Sequence, residues 1–371
     1  MTVRINKSAF NIREKLSELE RPIGLKGSEL MRAETAQEAR DLVSAGRKNL
    51  VINGDMRIDQ RSAGASTTPS TTSFTSVDRW KAVINPYSTF SMQRKSDGTV
   101  PGLPYYLRLT TVSATTNPVY ELVWQPIEAL DMFDQTAFGY SGAKDLSLSF
   151  WVRSSIPGPF SGSLENYLQN RAFVWEVNID NANTWEYKTV NIPGDISGGW
   201  GTSTASTGAF LMFSLGTSYQ GVADGKWASS QQLGSTTEIK RIQTLGATLD
   251  LTGVQLEVGK NATEFEHRSY GEELALCQRY YYQTPSHYHF LHKNGYYESQ
   301  LFYFPTTMRA VPNVTTPTAV IRALNGTSNV SYTGFYTGRF TDGFYVGSST
   351  TNNNSFHTFV FNGVITADAE L

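Results

Sequence analysis

The chain has 371 residues, of which 17% are charged, and a formal net charge of −2 at pH 7. A balance this close to neutral provides no attraction to nucleic acid or to an anionic membrane, so we expect neither a nucleic-acid partner nor membrane insertion. The single cysteine, Cys277, excludes an internal disulfide framework, and we expect it to be a small buried side chain in a short helix. The sequence has no run of ~18 apolar residues and no apolar core of a secretory signal, so we expect synthesis in a cytoplasm.

Residues 1–46 carry helix signals and no tryptophan. The first predicted helix has the 4-3 spacing of a coiled-coil seam and ends at Pro22. The second begins at a Thr35/Glu38 capping box and ends at Gly46. We interpret this segment as a docking and oligomerisation arm, with an ordinary N-terminal extension packed on its own domain as the alternative. The apolar positions assigned to docking are Ile5, Ile12, Leu16, Leu19, Leu42 and Val43.

Residues 47–270 consist of short alternating apolar runs separated by Gly, Pro, Asn and Ser clusters. Leu146, Leu148, Phe150 and Val152 are one such run, and the last begins at Leu249 with Gly253 as its expected bulge. Strands of this length and regularity predict a two-sheet β-sandwich. A short helix is predicted next, from Glu272 to Arg279.

Residues 271–371 are rich in tyrosine and contain no tryptophan. Short apolar runs alternate there with the hairpin signals Asn325-Gly326, Asp342-Gly343 and Asn362-Gly363. We therefore predict a small separate C-terminal β domain, the distal tip of a mostly β protein.

Two tryptophans in glycine-rich loops are the first candidates for binding. Trp200 and Trp227, with Tyr219 nearby, are predicted to offer exposed rings on which sugars stack; rings packed as lids on the sandwich are the alternative. Trp124, Trp151 and Trp175 lie within strands, so they are predicted to belong to the core or to a sheet face.

The tip supplies the second candidate. Tyr332, Tyr336, Tyr345 and His357 fall in or beside segments rich in Gly, Ser and Asn, a composition typical of adaptable recognition loops. Stacking of these tyrosines across the strands of a trimer is the alternative.

Metal binding and catalysis have weaker support. His287 and His289 could bind an ion on a three-fold axis, but solvated histidines are the default, and we expect no metal and no cofactor.

A glycan depolymerase would need two carboxylates across a cleft, and the sequence does not bring any two together. The acidic residues considered are Glu121, Glu128, Asp131, Asp134 and Glu176.

Two strings carry a resemblance to a known family. The opening string RKNLVINGDM, at 47–56, is followed by Gln60-Arg61 and by VDRW at 77–80. The closing string GVQLEVG, at 253–259, is followed by ATEFEHR at 262–268 and by CQRYYY at 277–282. Together they resemble the jelly-roll domain of bacteriophage tail-fibre and virion-appendage proteins. The resemblance implies a carbohydrate-binding-like jelly roll over 47–270, assembly in the host cytoplasm and a place in the virion tail.

The leading interpretation is a non-enzymatic, trimeric tail fibre of a short-tailed phage that adsorbs to host surface polysaccharide. Its partners would be other tail proteins, an adaptor or nozzle, bound through residues 1–46. A purely structural head, collar or tail decoration protein is the first alternative, and a glycan depolymerase is the second.

Overall fold

The computed structural model describes residues 48–370 except 86–87, 203–205, 285–287, 294–297, 317–318, 324–328, 333–334, 349–355 and 362–363. Residues 49–371 form one compact unit. The predicted docking arm, with Ile5, Ile12, Leu16, Leu19, Leu42 and Val43, lies outside the described residues and stays a prediction. In the part of the chain that is described, no helix is long and apolar enough to cross a membrane.

The described protein is mostly β. The first fourteen strands are β1 Ser73–Phe74, β2 Lys81–Val83, β3 Thr89–Lys95, β4 Tyr106–Ser113, β5 Tyr120–Glu128, β6 Leu146–Ser154, β7 Gly158–Asn166, β8 Ala172–Ile179, β9 Glu186–Ile192, β10 Thr207–Thr217, β11 Gln220–Gly221, β12 Trp227–Ala228, β13 Gly234–Ser235 and β14 Thr248–Val258. Helix α1 is Ala129–Thr136, and a short 3-10 helix is Arg241–Gln243.

After helix α2, Tyr270–Gln278, ten more strands follow. They are β15 Tyr281–Gln283, β16 Tyr288–Lys293, β17 Glu298–Tyr303, β18 Asn313–Thr315, β19 Ala319–Ala323, β20 Asn329–Tyr332, β21 Phe335–Arg339, β22 Gly343–Ser348, β23 Phe356–Phe361 and β24 Thr366–Asp368. The predicted helix at 272–279 is confirmed within two residues at each end. Cys277 is fully buried in it, as expected.

Two sheets form the predicted sandwich. One has the strand order β1-β2-β5-β10-β7-β8-β12, and the other has the order β3-β4-β14-β6-β9. Strand β6 shows why they pack, since Leu146, Leu148, Phe150 and Val152 alternate onto one face and are fully buried. The Phe150 ring meets Phe213 of β10 at 5.2 Å and Trp175 of β8 at 5.5 Å, so an aromatic core joins the two sheets.

The C-terminal part contains three small sheets, β15-β24-β18, β16-β23-β19-β20 and β17-β22-β21. Its own apolar cluster includes Phe302, Phe344 and Ile365. The boundary predicted at residue 270 coincides with the start of α2 and lies inside the compact unit.

Residues 48–56 of the opening string run along the closing strand β14. Leu50 donates its backbone N–H to Leu256, and Val254 donates to Gly54, both at 2.9 Å. The Asn49 side chain donates to the Val254 carbonyl at 3.0 Å and accepts from the Leu256 N–H at 3.0 Å. The two strings of the resemblance therefore close the sandwich together.

Buried charges connect the sandwich to the C-terminal part. Glu370, two residues after β24, pairs with Arg79 and, at 3.0 Å, with Arg61. The two guanidinium groups lie over the rings of Tyr280 and Tyr281, at 3.4 and 3.6 Å. Removal of one member of such a buried group would leave an unpaired charge, so these contacts fix the last strand firmly to the sandwich.

Candidate functional site

Trp200 is not an exposed platform. It is only 3% exposed, and its Nε1 donates to Asp195 at 3.0 Å and to the Ser197 carbonyl at 3.2 Å. Its ring packs edge-on against Phe138 at 4.8 Å. The prediction of a stacking surface is therefore wrong for Trp200, because the glycine-rich loop folds its ring into the core.

Trp227 belongs to β12, the edge strand of the seven-stranded sheet, and Tyr219 comes directly before β11. Trp227 is half-buried, meets Trp200 at 5.3 Å and donates its Nε1 to the Pro193 carbonyl at 2.7 Å. Its ring belongs to the rim of the core rather than to an open loop. Tyr219 is 43% exposed, as a sugar contact would have to be. Its role in binding stays a prediction.

Most tip candidates lie where the side chains are not described. The backbones of Tyr332, Tyr336 and His357 fall in β20, β21 and β23. Tyr345 of β22 is half-buried, and its ring covers Gly338 of the neighbouring strand. The recognition role of this group stays a prediction.

The side chains of the two histidines that were considered for an axial metal site are not described either. His287 lies outside the described residues, and His289 falls in β16 opposite Val360 of β23. Within the described residues, no group of three or more His, Cys, Asp or Glu side chains could hold a metal ion.

An open cleft of about 630 Å³ lies on the outer face of the five-stranded sheet. We call it the aromatic cleft. Its floor includes Trp151 of β6 and Tyr187 of β9, which face each other across the two strands with ring centroids 5.4 Å apart. Trp151 is half-buried and Tyr187 is 43% exposed. Two adjacent rings that are both reachable from solvent form a surface on which the C–H face of a sugar ring can pack.

The remaining lining combines apolar and hydrogen-bonding groups. Pro101 and Leu103 approach from one side, and Ser149 and Gly253 complete the floor. Another wall is the segment after β14, which contributes Ala262, Thr263, Glu264, Phe265 and His267. A few polar groups around an aromatic floor are typical of pockets that bind small polar molecules.

That wall is held in place by buried side chains of β14. Thr263 donates its N–H and its hydroxyl to the Glu257 carboxylate, both at 2.7 Å. The Gln255 side-chain oxygen accepts from the Glu266 N–H at 2.8 Å, and Arg268 bonds the Glu266 carboxylate at 2.7 Å. Because the wall is fixed before any ligand arrives, binding loses little energy to ordering it.

Gly253 shapes the floor. It has φ +60° at a bulge of β14, where the pairing with β6 shifts between Thr252 and Gln255, as the sequence predicted. A Cβ at this position would lie 2.7 Å from Leu103 Cδ1 and 3.2 Å from Trp151 Cδ1. Only glycine combines this backbone conformation with the close approach of the two side chains.

The same sheet face continues into a charged cluster. Asp250 of β14, 1% exposed, accepts from Arg108 Nε and Nη2 at 2.8 and 2.9 Å and from Arg153 Nε at 2.8 Å. The Arg153 guanidinium also lies over the Trp185 ring at 4.6 Å. Hydrogen bonds to Asp250 raise the pKa of Arg108 further above its ordinary value.

Several carboxyl groups are buried in or beside the seven-stranded sheet. Glu165 of β7 is completely buried, and neither of its oxygens has a hydrogen-bond partner of ordinary geometry. Burial raises its pKa to about 8, and Gln231 and Gln232 lower it only in part. Burial also raises the pKa of Glu121 and of Glu238. A strongly shifted carboxyl often marks an active site, but Glu165 lies outside the aromatic cleft.

The acidic residues considered for catalysis do not meet in the cleft. Glu128 is bound by Arg279 at 3.0 Å and by the Tyr280 hydroxyl at 2.6 Å, and hydrogen bonds from these groups offset burial and lower its pKa. Glu121 accepts from the Ser88 hydroxyl at 2.5 Å. Among the residues that line the cleft, Glu264 supplies the one carboxylate.

Strand parity in the sequence could have located part of the cleft floor. Phe150 and Val152 share the parity of the core positions in β6, so Trp151 between them had to face outward. An outward tryptophan in a strand is a candidate contact surface. Its pairing with Tyr187 depends on the β6–β9 register, which the sequence does not specify.

Comparison with known proteins gives low similarity throughout. No family model matches the chain, and no curated protein matches it. The enzymatically active domain of bacteriophage CBA120 tailspike protein 4 is 13% identical over 57% of this chain and 21% of that chain, with a TM-score of 0.31. The family 11 carbohydrate-binding module of Clostridium thermocellum, solved with a β-1,3-1,4-mixed-linked tetrasaccharide, is 13% identical over 56% of this chain and 100% of that chain, with a TM-score of 0.26. At these values the comparison assigns no ligand to this chain.

Proposed function

We propose that this protein is a non-enzymatic tail fibre of a short-tailed phage and that its aromatic cleft binds host surface polysaccharide. The observation that carries the binding role is the Trp151–Tyr187 pair on the floor of a pre-formed cleft edged by polar groups. The tail assignment rests on the resemblance of the opening and closing strings. Weak contacts to one glycan chain become useful when many copies act together, as they do on a virion.

The single carboxylate in the cleft lining favours binding over hydrolysis, since glycoside hydrolysis uses two. The depolymerase alternative predicts new reducing ends when the protein is incubated with a polysaccharide that it binds. The decoration alternative predicts no binding to any polysaccharide.

Native gels cast with soluble polysaccharides test the binding role. The probes are mixed-linkage β-glucan, galactan, galactomannan, alginate and hyaluronan. We expect at least one of them to retard the wild-type protein, and we expect Tyr187→Ala to weaken that retardation at least tenfold because an exposed aromatic contact is lost. Tyr167, with 40% exposure against 43% for Tyr187, provides a matched control, and Tyr167→Ala should migrate like the wild type.

Tyr219→Ala separates the two candidate sites, since Tyr219 is as exposed as Tyr187. Loss of retardation in Tyr219→Ala, with Tyr187→Ala unaffected, would move the glycan site to the seven-stranded sheet. Equal thermal midpoints of the variants would show that neither effect comes from unfolding.

The assembly part of the proposal has its own measurements. Light scattering of the full-length protein should give three times the 41.1 kDa of one chain. Deletion of residues 1–46 should leave a folded protein that no longer enters particles. Normal incorporation of that truncated protein would contradict the docking role.

A further inference from the structure

The charged side chains around the aromatic cleft indicate whether the cleft binds a neutral or an acidic glycan. Its lining holds the rings of Trp151, Tyr187 and Phe265, the hydroxyl groups of Ser149 and Thr263, and the side chains of Glu264 and His267, and it includes neither lysine nor arginine. A sugar carboxylate, sulfate or phosphate is normally met by a cation, most often by the fork of an arginine. The described lining offers neither lysine nor arginine, and it includes the Glu264 carboxylate.

The nearest arginine along the floor is already engaged. Arg153 follows Trp151 by two residues on β6, so its side chain lies on the same sheet face. Besides the bond to Asp250, its Nη1 donates to the Gly98 carbonyl at 3.1 Å. Recruitment of Arg153 to an acidic sugar would leave the buried Asp250 with fewer partners, at a cost that a ligand charge would have to offset.

The other cations near this face are paired as well. Arg108 forms a two-pronged contact with Asp250. Lys188 of β9 pairs in register with the inward-facing Phe150, so it lies on the opposite face of the strand from Tyr187, and it bonds Glu186 at 2.7 Å. Lys260, beyond the wall, lies 3.6 Å from Asp145. Lys260 is 77% exposed and contributes little at physiological salt.

We infer that the aromatic cleft takes an uncharged glycan segment and rejects sugars that carry a carboxylate, sulfate or phosphate group. This inference rests on the proposed function, because it concerns the same cleft. Neutral hydroxyl groups can bond the hydroxyl oxygens of Ser149 and Thr263, whereas an anion would find neither lysine nor arginine in the described lining and would lie near the Glu264 carboxylate.

A matched pair of probes isolates the charge. Mixed-linkage β-glucan, galactan and galactomannan are used as they are, and again after oxidation of their primary hydroxyls to carboxylates. We expect the neutral form of the best probe to bind at least tenfold tighter than its oxidised form. Methyl esterification of the new carboxylates removes their charge without restoring the hydroxyl, and we expect it to recover most of the affinity.

The variant Glu264→Gln, measured at a temperature at which it is folded, should narrow the ratio between the affinity for the neutral probe and the affinity for the oxidised probe. An acidic polysaccharide that binds as tightly as the neutral one, in a manner lost in Tyr187→Ala, would overturn the inference and leave the proposed function intact. Binding that no cleft variant affects, or no binding by any probe, would overturn both.

Discussion

The buried carboxyl of Glu165 should make the stability of the protein fall as pH rises. Its pKa is raised from 4.5 to about 8 by burial, so the folded state holds a proton that the unfolded state releases. Stability conferred by that proton is complete below pH 4.5, declines through the interval up to about 8, and is lost above it. One pKa unit corresponds to about 1.4 kcal/mol, so the shift amounts to roughly 5 kcal/mol as an upper bound.

The variant Glu165→Gln tests this directly, because glutamine has the shape of the protonated acid and cannot ionise. We expect nearly equal free energies of unfolding for variant and wild type at pH 5. At pH 8.5 we expect the variant to be more stable by several kcal/mol. Urea unfolding followed by tryptophan fluorescence, at pH values from 5 to 8.5, measures the difference.

Two other carboxyl groups affect how the pH profile is interpreted: one contributes to the same decline, and the other serves as a control. Burial raises the pKa of Asp78 to about 7, so part of the decline will persist in Glu165→Gln. Hydrogen bonds from Lys188 and from nearby backbone N–H groups outweigh burial and lower the pKa of Glu186 to about 2, so Glu186→Gln should leave the slope between pH 5 and 8 unchanged. If the free energies of unfolding of the wild type and of Glu165→Gln change in parallel from pH 5 to 8.5, the reasoning about Glu165 is refuted.

Three further predictions concern packing and charge. Gly253→Ala should cost about 1 to 2 kcal/mol because its φ is +60°, and it should weaken polysaccharide retardation by displacing the cleft tryptophan. Trp200→Ala should lose about 3 to 5 kcal/mol in urea unfolding, while the folded protein keeps its polysaccharide affinity. Glu370→Gln should lose about 3 kcal/mol because Arg79 is left unpaired, whereas Asp224→Asn, at an exposed pair, should change stability by less than ~0.5 kcal/mol.

Much of the fold could be predicted from local patterns in the sequence. The alternation from Leu146 to Val152 corresponds to β6, and the glycine at 253 marks the bulge of β14. Both follow from the two-residue period of a strand and the conformational range of glycine, which depend on few distant contacts.

Long-range contacts explain what the sequence did not reveal. Trp200 looked exposed because its neighbours are glycines, but Asp195 and Phe138 draw its ring inward. Trp151 looked like an ordinary strand residue, and its partner Tyr187 is 36 positions away in the chain. Burial of a loop tryptophan and exposure of a strand tryptophan both depend on which segments meet, and a single sequence does not state that.

The residues that carry the family resemblance have structural roles. Asn53, with φ +58°, donates its side-chain N–H to the carbonyls of Ile58 and Asp78 and accepts from the Ile58 N–H. Arg79 is 1% exposed and pairs with Glu370. These contacts close the sandwich and attach the end of the chain, so selection for the fold alone would suffice to retain them.

The two rings of the cleft floor, by contrast, lie outside the shared strings. Trp151 and Tyr187 belong to β6 and β9, whereas Gly253 and the wall residues Ala262, Thr263 and Phe265 belong to the closing segment that carries the resemblance. Proteins that share the opening and closing strings can therefore differ freely at the cleft floor, and the strings alone cannot transfer a ligand from one to another. A protein with the same strings but without aromatic residues at the positions of Trp151 and Tyr187 should keep the fold and lose retardation by the polysaccharide that this chain binds.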